Sequence, residues 1–480
     1  MALSFLQNIW WLLVLIGVMI LIHELGHFWA ARAFDVRVDV FSFGFGPRLF
    51  GFRRGETDYR FSLILFGGYV KMAGENPLEN MGSPGVGRLE VAAALVNSDN
   101  PVPDVSTYDP RQLNNKPRWQ RLIITAAGPF MNVVLAIGVL TGLYMVSYEK
   151  IIDEGGAKIG HVMPDSPAAR AGIVAGDKIV RLDGKNNPDW EDIVSTEIAG
   201  AQRPMTVTLE RNGHEFTESV TPVLDEKEGV GSAGWEGQNQ IQVGGVSEGM
   251  PAEKAGLKKG DLLLRIDNIP IHSRFTLPEV IKKSEGNSVT IEYSRDGQTR
   301  SVTMKPVFKN PDGTARWMIG VGSDVKWNIQ KTKLSFPDAL RQSVVQNGKN
   351  ATLIFEFLRG MLERRMSAKN LEGPIGIAQQ AKEAANEGPS AFLTLMSVVS
   401  LNLAIVNLLP IPILDGAMIL TLLIEMVMGR DISLGVKETA LKVGFVFLMM
   451  LMVFVIYNDI ARRFTPGFLM NAPHSVQLKR

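Results

Sequence analysis

The chain has 480 residues, enough for three or four compact units, so a single core is excluded. A net charge of +1, with no basic stripe interleaved with aromatics, sets nucleic acid aside as a partner. There is no cysteine, so disulfides and thiolate ligands are excluded and any metal must be held by His, Asp or Glu.

Met1 to Ile22 contain no charged residue, and neither do Leu122 to Tyr148 or Ala391 to Leu414; Leu441 to Ile460 carries only Lys442 and Asp459, near its ends. Each run is long enough to cross a hydrocarbon core about 30 Å thick at about 1.5 Å per residue. The reading is a multi-pass α-helical membrane protein with four transmembrane helices, over about 3–31, 121–148, 391–415 and 441–460. The first run lacks a basic n-region and a small-residue cleavage site, so it stays in the mature protein. Arg32, Arg37, Arg48, Arg53, Arg54, Arg60 and Lys71 follow it, and Lys116, Arg118 and Arg121 precede the second run. By the positive-inside rule that segment is cytoplasmic, and Glu149 to Pro389 and both termini lie on the opposite side, although Arg462 and Arg463 run against this.

At the cytoplasmic end of the first span, His23-Glu24-Leu25-Gly26-His27 matches H-E-x-x-H. Residues four apart share a helix face, so both imidazoles can meet one metal with Glu24 beside it, the arrangement of a zinc protease. Ionisable groups at membrane depth cost about 2.5–3.5 kcal/mol each, and a bound metal supplies the compensation. Shortly after comes Arg60 to Met72, which reads as two short apolar strands about a Gly67-Gly68 turn. The unpaired edge of such a membrane-associated hairpin can pair with an extended substrate, which makes Leu63, Ile64, Leu65, Phe66, Gly67 and Gly68 candidate substrate contacts. Residues 74–117 are polar and rich in Pro and Gly, and read as a loop.

Beyond the second span the chain repeats itself. Ser166 to Asp177 aligns with Met250 to Asp261 at a constant offset of 84 residues, which persists to Arg211/Arg295 and Gly213/Gly297. In each copy Pro opens a short helix, Gly172 or Gly256 can end it, and a Gly-Asp turn leads into an apolar strand. On these residues both copies, 150–225 and 226–308, resemble PDZ domains of the bacterial type, which bind extended chains by adding a strand to a sheet edge. Residues 309–390 are read as a linker with an amphipathic helix over about 335–366, suited to the membrane surface or to packing on the second repeat.

Two histidines are too few for a catalytic zinc, which usually has three protein ligands. The candidate for the third is Asp415, a lone acid at the end of an uncharged run in Asn407-Leu408-Leu409-Pro410-Ile411-Pro412-Ile413-Leu414-Asp415-Gly416. Pro410 and Pro412 break the helix beside it, and broken backbone at membrane depth is tolerated where it lines a polar cavity.

The His-Glu-x-x-His of the first span and the Asn-x-x-Pro-x-x-x-Leu-Asp-Gly of the third resemble the signature of the site-2 protease family of intramembrane zinc metalloproteases, and the inserted PDZ-like pair narrows the resemblance to its RseP-like (regulator of sigma-E protease) bacterial branch. Gly44-Phe45-Gly46, Gly67 to Met72 and Gly128-Pro129-Phe130-Met131-Asn132 are similar too. The resemblance implies one zinc ion per chain on His23, His27 and Asp415, Glu24 as general base, and Asn407 near the substrate or the developing oxyanion. It implies single-pass membrane substrates already trimmed outside the bilayer, such as an anti-sigma factor, and signal-peptide remnants. It also implies the bacterial inner membrane, with the PDZ domains and both termini periplasmic and the active site toward the cytoplasm. Two departures stand out: Ala417-Met418 where many members have Gly-His, and a long loop after Met72. The competing expectations are a catalytically silent PDZ scaffold with a structural metal, and a metal transporter. The first conflicts with a general base beside an open ligand set. The second would spread polar residues along several spans.

Overall fold

The computed structural model describes residues 2–74, 109–151, 156–225, 229–310, 315–367, 371 and 373–464. From the N-terminus run α1 (Ala2–Ala33), the strands β1 (Val38–Arg54) and β2 (Thr57–Met72), and α2 (Arg118–Val146). The first repeat contributes β3 (Ile159–Val162), β4 (Lys178–Leu182), α3 (Trp190–Ala199), β5 (Met205–Arg211), β6 (His214–Val220) and β7 (Trp235–Gly237). The second contributes β8 (Gln240–Val246), β9 (Leu262–Ile266), α4 (Thr276–Lys283), β10 (Val289–Arg295), β11 (Gln298–Met304) and β12 (Val321–Lys326). Then come α5 (Phe336–Leu362), α6 (Pro374–Glu387), α7 (Pro389–Leu408), α8 (Asp415–Met428) and α9 (Leu434–Phe464). Two units result: one from Met1–Val146, Lys333–Ala351 and Glu372–Asp459, the other built mainly from Ser147–Thr332 and Thr352–Leu371.

Among the described residues, four helical stretches are long and apolar enough to span a bilayer: Gln7–Ala33, Arg118–Val146, Pro389–Leu408 and Gly435–Ala461. Small and hydroxylated residues bring three of them together, as expected where lipid competes for apolar contact. A Cβ on Gly26 of α1 would strike the Ala127 carbonyl of α2. Ser397 and Ser400 of α7 donate to the Ala136 and Asn132 carbonyls of α2, both at 2.9 Å. Leu15 and Met19 pack with Ala381, Phe392 and Met396 between α1, α6 and α7. Near the end of the last span, Asp459 accepts the backbone N–H groups of Gly373, Ile375 and Gly376 at 3.0–3.2 Å and so caps the start of α6.

Two expectations for the first unit are corrected. The third span does not run to 415: α7 stops at Leu408, because Pro410 and Pro412 cannot extend it, and Asp415 opens a separate helix, α8. The strand pair is not a short hairpin about Gly67-Gly68 either. Its turn is Gly55-Glu56, and both glycines lie inside β2. Each strand is used twice: Val38–Phe43 is in register with Met72 back to Gly68, and its part Val40–Phe43 also with Asp58–Phe61, while Phe50–Arg54 is in register with Phe61 back to Thr57. The chain can double back because Gly44 and Gly46 adopt φ of 94° and 87°, which a side chain would strain. Of the loop expected over 74–117, residues 75–108 lie outside the described residues.

In the second unit the two repeats fold alike. The first forms the sheet β4–β5–β6, extended by Lys185–Asn186, with β3 paired to β7; the second forms β11–β10–β9–β8–β12. In each, an arginine from the third long strand grips the aspartate of the Gly-Asp turn. Arg211 donates to Asp177 at 2.6 and 2.7 Å and to the Gly172 carbonyl at 2.8 Å, and Arg295 donates to Asp261 and Gly256 at the same distances. The expected boundaries at 225 and 308 fall too early. Ala233 and Trp235 complete the first core and Ile319 the second, so the first repeat runs through Gly237 and the second through Lys326. The closing strand of each repeat comes last in the chain yet pairs with the first, a non-local contact that local patterning does not encode.

Candidate metal centre

His23 and His27 lie one turn apart on α1, both buried, with ring centroids 4.9 Å apart. Their Nε2 atoms converge to 3.2 Å. Close approach of α2 sets them there: a Cβ on Gly128 would run into the His27 ring, and His27 Nδ1 donates to the Ile124 carbonyl at 2.9 Å. That bond leaves Nε2 of His27 as a lone-pair donor.

Asp415 reaches the same point from the start of α8. Its Oδ2 is 3.2 Å from His23 Nε2 and its Oδ1 3.6 Å from His27 Nε2. The turn delivering it includes Ile413 at φ 89°, a conformation that a β-branched residue rarely adopts, so strain is stored beside the acid. The position at a helix N-terminus favours the ionised carboxylate. At its other end α8 is anchored by the fully buried Glu425, which pairs with Lys437 at 2.6 Å and accepts the Ile432 N–H at 3.0 Å.

The three side chains fit a zinc ion. Ligands about 2.0–2.1 Å from a tetrahedral metal lie about 3.3 Å from one another. Here the two imidazole nitrogens are 3.2 Å apart, the two Asp415 oxygens lie 3.2 Å from one and 3.6 Å from the other, and one ligand atom from each residue lies within 4.8 Å of the others. A second observation concerns Asn132 of α2, which is fully buried with its Nδ2 3.3 Å from His23 Nδ1 and its Oδ1 without a partner. With Nε2 of His23 given to a metal, Nδ1 carries the proton and needs an acceptor. Turning the Asn132 amide over supplies its orphaned oxygen, the usual outer-shell partner of a metal-bound histidine. Sequence reasoning places Asn132 within the family-like stretch Gly128 to Asn132 but gives it no role; a further signal for it is that it is a lone carboxamide in an uncharged, largely apolar span.

Glu24 is not part of the ligand cluster. Its carboxylate accepts the Val70 N–H, and a Cβ on Gly68 would lie 3.1 Å from its Cγ and 3.0 Å from the Ser42 carbonyl. Among the described residues Gly68–Val70 is in register only with Phe41–Phe43, so the side of β2 turned toward Glu24 there is a sheet edge. Of the expected substrate contacts, Gly67 and Gly68 are on this stretch. Leu63 and Ile64 are more than half exposed, Ile64 in register with Phe45, and Leu65 and Phe66 continue β2. Asn407 is half-buried in the last turn of α7, with no side-chain hydrogen bond among the described residues.

The pattern of Peptidase family M50 matches residues 11–451. The regulator of sigma-E protease RseP of Escherichia coli (strain K12) is 30% identical over 480 residues, covering 96% of this chain and 100% of its own. A protein named as a zinc metalloprotease in Neisseria meningitidis is 30% identical over 463 residues, covering 93% of this chain and 97% of its own. A solved PDZ domain from Listeria monocytogenes is similar at 25% identity over 17% of this chain and 85% of its own, with a TM-score of 0.16. The chain belongs to Peptidase family M50 and is an intramembrane zinc metalloprotease of the site-2 type.

Proposed function

We propose that this protease holds one zinc ion on His23, His27 and Asp415 and hydrolyses a peptide bond in or near the transmembrane segment of single-pass membrane proteins, after their outer part has been removed. The observation that carries the reading is the convergence of three ligand atoms beside a carboxylate, Glu24, that is free of the cluster. When bound, zinc polarises the scissile carbonyl and acidifies a water molecule. Glu24 accepts the proton of the attacking water and returns it to the leaving amine. Asn407 offers its amide to the developing oxyanion. The edge that begins at Gly67 and Gly68 takes the substrate as an added strand, which an unwound helix needs before a carbonyl can reach the site.

Names of relatives such as the regulator of sigma-E protease support an anti-sigma factor as substrate, and signal-peptide remnants have the same single-span form. The two repeats are read as PDZ modules that screen substrates. They lie, with both termini, on the periplasmic side of a bacterial inner membrane, and the active site lies toward the cytoplasm. Glu24→Gln keeps shape and imidazoles, so zinc content by mass spectrometry stays near wild type while cleavage of a model transmembrane substrate falls about 10²–10⁴-fold or more. Unchanged turnover would remove Glu24 as base.

A further inference from the structure

The two repeats differ where a backbone nest meets the long helix. In the first, Glu197 on the last turn of α3 is buried, with 9% of its surface exposed. Its Oε1 accepts the Ala233 N–H at 2.5 Å, its Oε2 accepts the Trp235 indole N–H at 3.0 Å, and the Gly234 N–H also donates to it. Gly234 has φ of 80°, which turns successive N–H groups toward one point.

The second repeat has the same backbone. Ala168 N–H bonds to the Ala233 carbonyl and Ala252 N–H to that of Ile319, both at 2.9 Å; Met163 bonds to Gly234 and Ser247 to Gly320, both at 2.8 Å. Gly320 has φ of 83°. At the 84-residue offset, however, Ile281 stands where the first repeat has Glu197, and it is a core residue. The N–H groups of Ile319 and Gly320, both buried, have no acceptor among the described residues. One nest holds a carboxylate from its own chain, and the other is bare.

Backbone nests of this kind capture the terminal carboxylate of a peptide. We propose that Glu197 is a built-in stand-in for that carboxylate, closing the first repeat to peptides, so that the two repeats are unequal and removal of Glu197 uncovers a carboxylate receptor. This rests on reading the repeats as peptide-binding modules. The plug also costs the repeat nothing in unmet donors, since three N–H groups meet two carboxylate oxygens.

The test uses the full chain in detergent and a hexapeptide with a photoreactive residue beside a free C-terminus, with adducts mapped by mass spectrometry. In wild type, labelling of residues 229–237 stays at background. In Glu197→Ala it rises about tenfold, disappears when the peptide is amidated, and is competed by acetate; acetate, but not chloride at equal ionic strength, raises the melting temperature of this variant. Wild-type labelling equal to that of the variant would overturn the proposal, as would a folded variant that gains no carboxylate-dependent labelling and no acetate response. If Glu197→Ala does not fold, the isosteric Glu197→Gln carries the test, with a gain of about threefold expected and none counting against. If the second repeat is labelled and the opened first is not, only the Glu197 assignment falls. An acetate response with no peptide labelling at either repeat would keep the carboxylate nest, but overturn its role as a peptide plug together with the peptide-module reading.

Discussion

In the β-rich unit Asp177 and Asp261 each meet an arginine fork, and Glu197 meets three N–H groups, so each of these buried acids is matched by donors from its own chain. In the membrane unit Asp415 meets two imidazoles whose facing atoms are 3.2 Å apart, with the Nδ1 of one already bonded to a backbone carbonyl and that of the other facing an amide. Two acceptor nitrogens and a carboxylate at one buried point repel unless something positive lies among them. Satisfied acids of the first sort fasten a fold; an unsatisfied convergence of the second sort is a seat for a cation.

Removing an acid from each side sharpens the contrast. Asp415→Ala deletes a ligand, so both zinc affinity and proteolysis fall by orders of magnitude while α1, α2 and α7 stay packed; stoichiometric tight zinc in this variant would show that Asp415 is not the third ligand. Asn132→Leu removes only the partner of His23, and zinc affinity drops by about 10–100-fold in a competition titration with a chelator. Unchanged affinity there would mean that His23 is oriented by its helix alone.

Asp261→Ala breaks the grip on Arg295 without touching the zinc site. The melting temperature of the β-rich unit falls by about 5–10 °C with metal content unchanged. The acid itself is held below its ordinary range, because burial pushes it up and the Arg295 hydrogen bonds more than offset that.

The smallest effect is a slope with pH. Burial raises Glu197 from its ordinary 4.5 to about 7, with the N–H groups of Ala233 and Gly234 and the Trp235 indole pulling it back, and with Arg365 on the carbonyls of Ala199 and Ala201 at the end of the same helix. Since its folded pKa is raised, the folded unit binds this proton more readily than the unfolded chain. Stability is therefore greatest below about 4.5, declines as pH rises to about 7, and is level above. Denaturant titrations of Glu197→Gln across that window lose this component of the slope; an unchanged slope would mean Glu197 is not the titrating group.

Much of this architecture is legible in the amino-acid sequence. The apolar runs reveal their helices because length without charge is a local property, and His23 and His27 share a face because the helical period says so. The 84-residue repeat is equally plain. What misleads is also local. Gly67-Gly68 looks like a turn, but its meaning depends on Phe43, to which Gly68 is in register, and on Glu24, whose Cγ would lie only 3.1 Å from a Cβ at Gly68. The strands closing each repeat fall on the wrong side of a boundary drawn from local pattern, because pairing β7 with β3 joins residues about seventy positions apart in the chain.

The sequence by itself therefore determined that four apolar runs are long enough to cross a bilayer, that the two histidines share a helix face with a glutamate beside them, and that two related modules exist, since each follows from spacing along one stretch of backbone. Tertiary structure decided how these parts are completed. It brought Asp415 to within 3.2–3.6 Å of histidines nearly four hundred residues earlier, set Asn132 behind one of them, turned the edge of β2 toward Glu24, and filled one nest with Glu197 while its twin meets no acceptor among the described residues. Each of these depends on which distant groups end up facing one another. The reason is that a buried donor or acceptor must find a partner in space, and spacing along the chain does not say which one it will be.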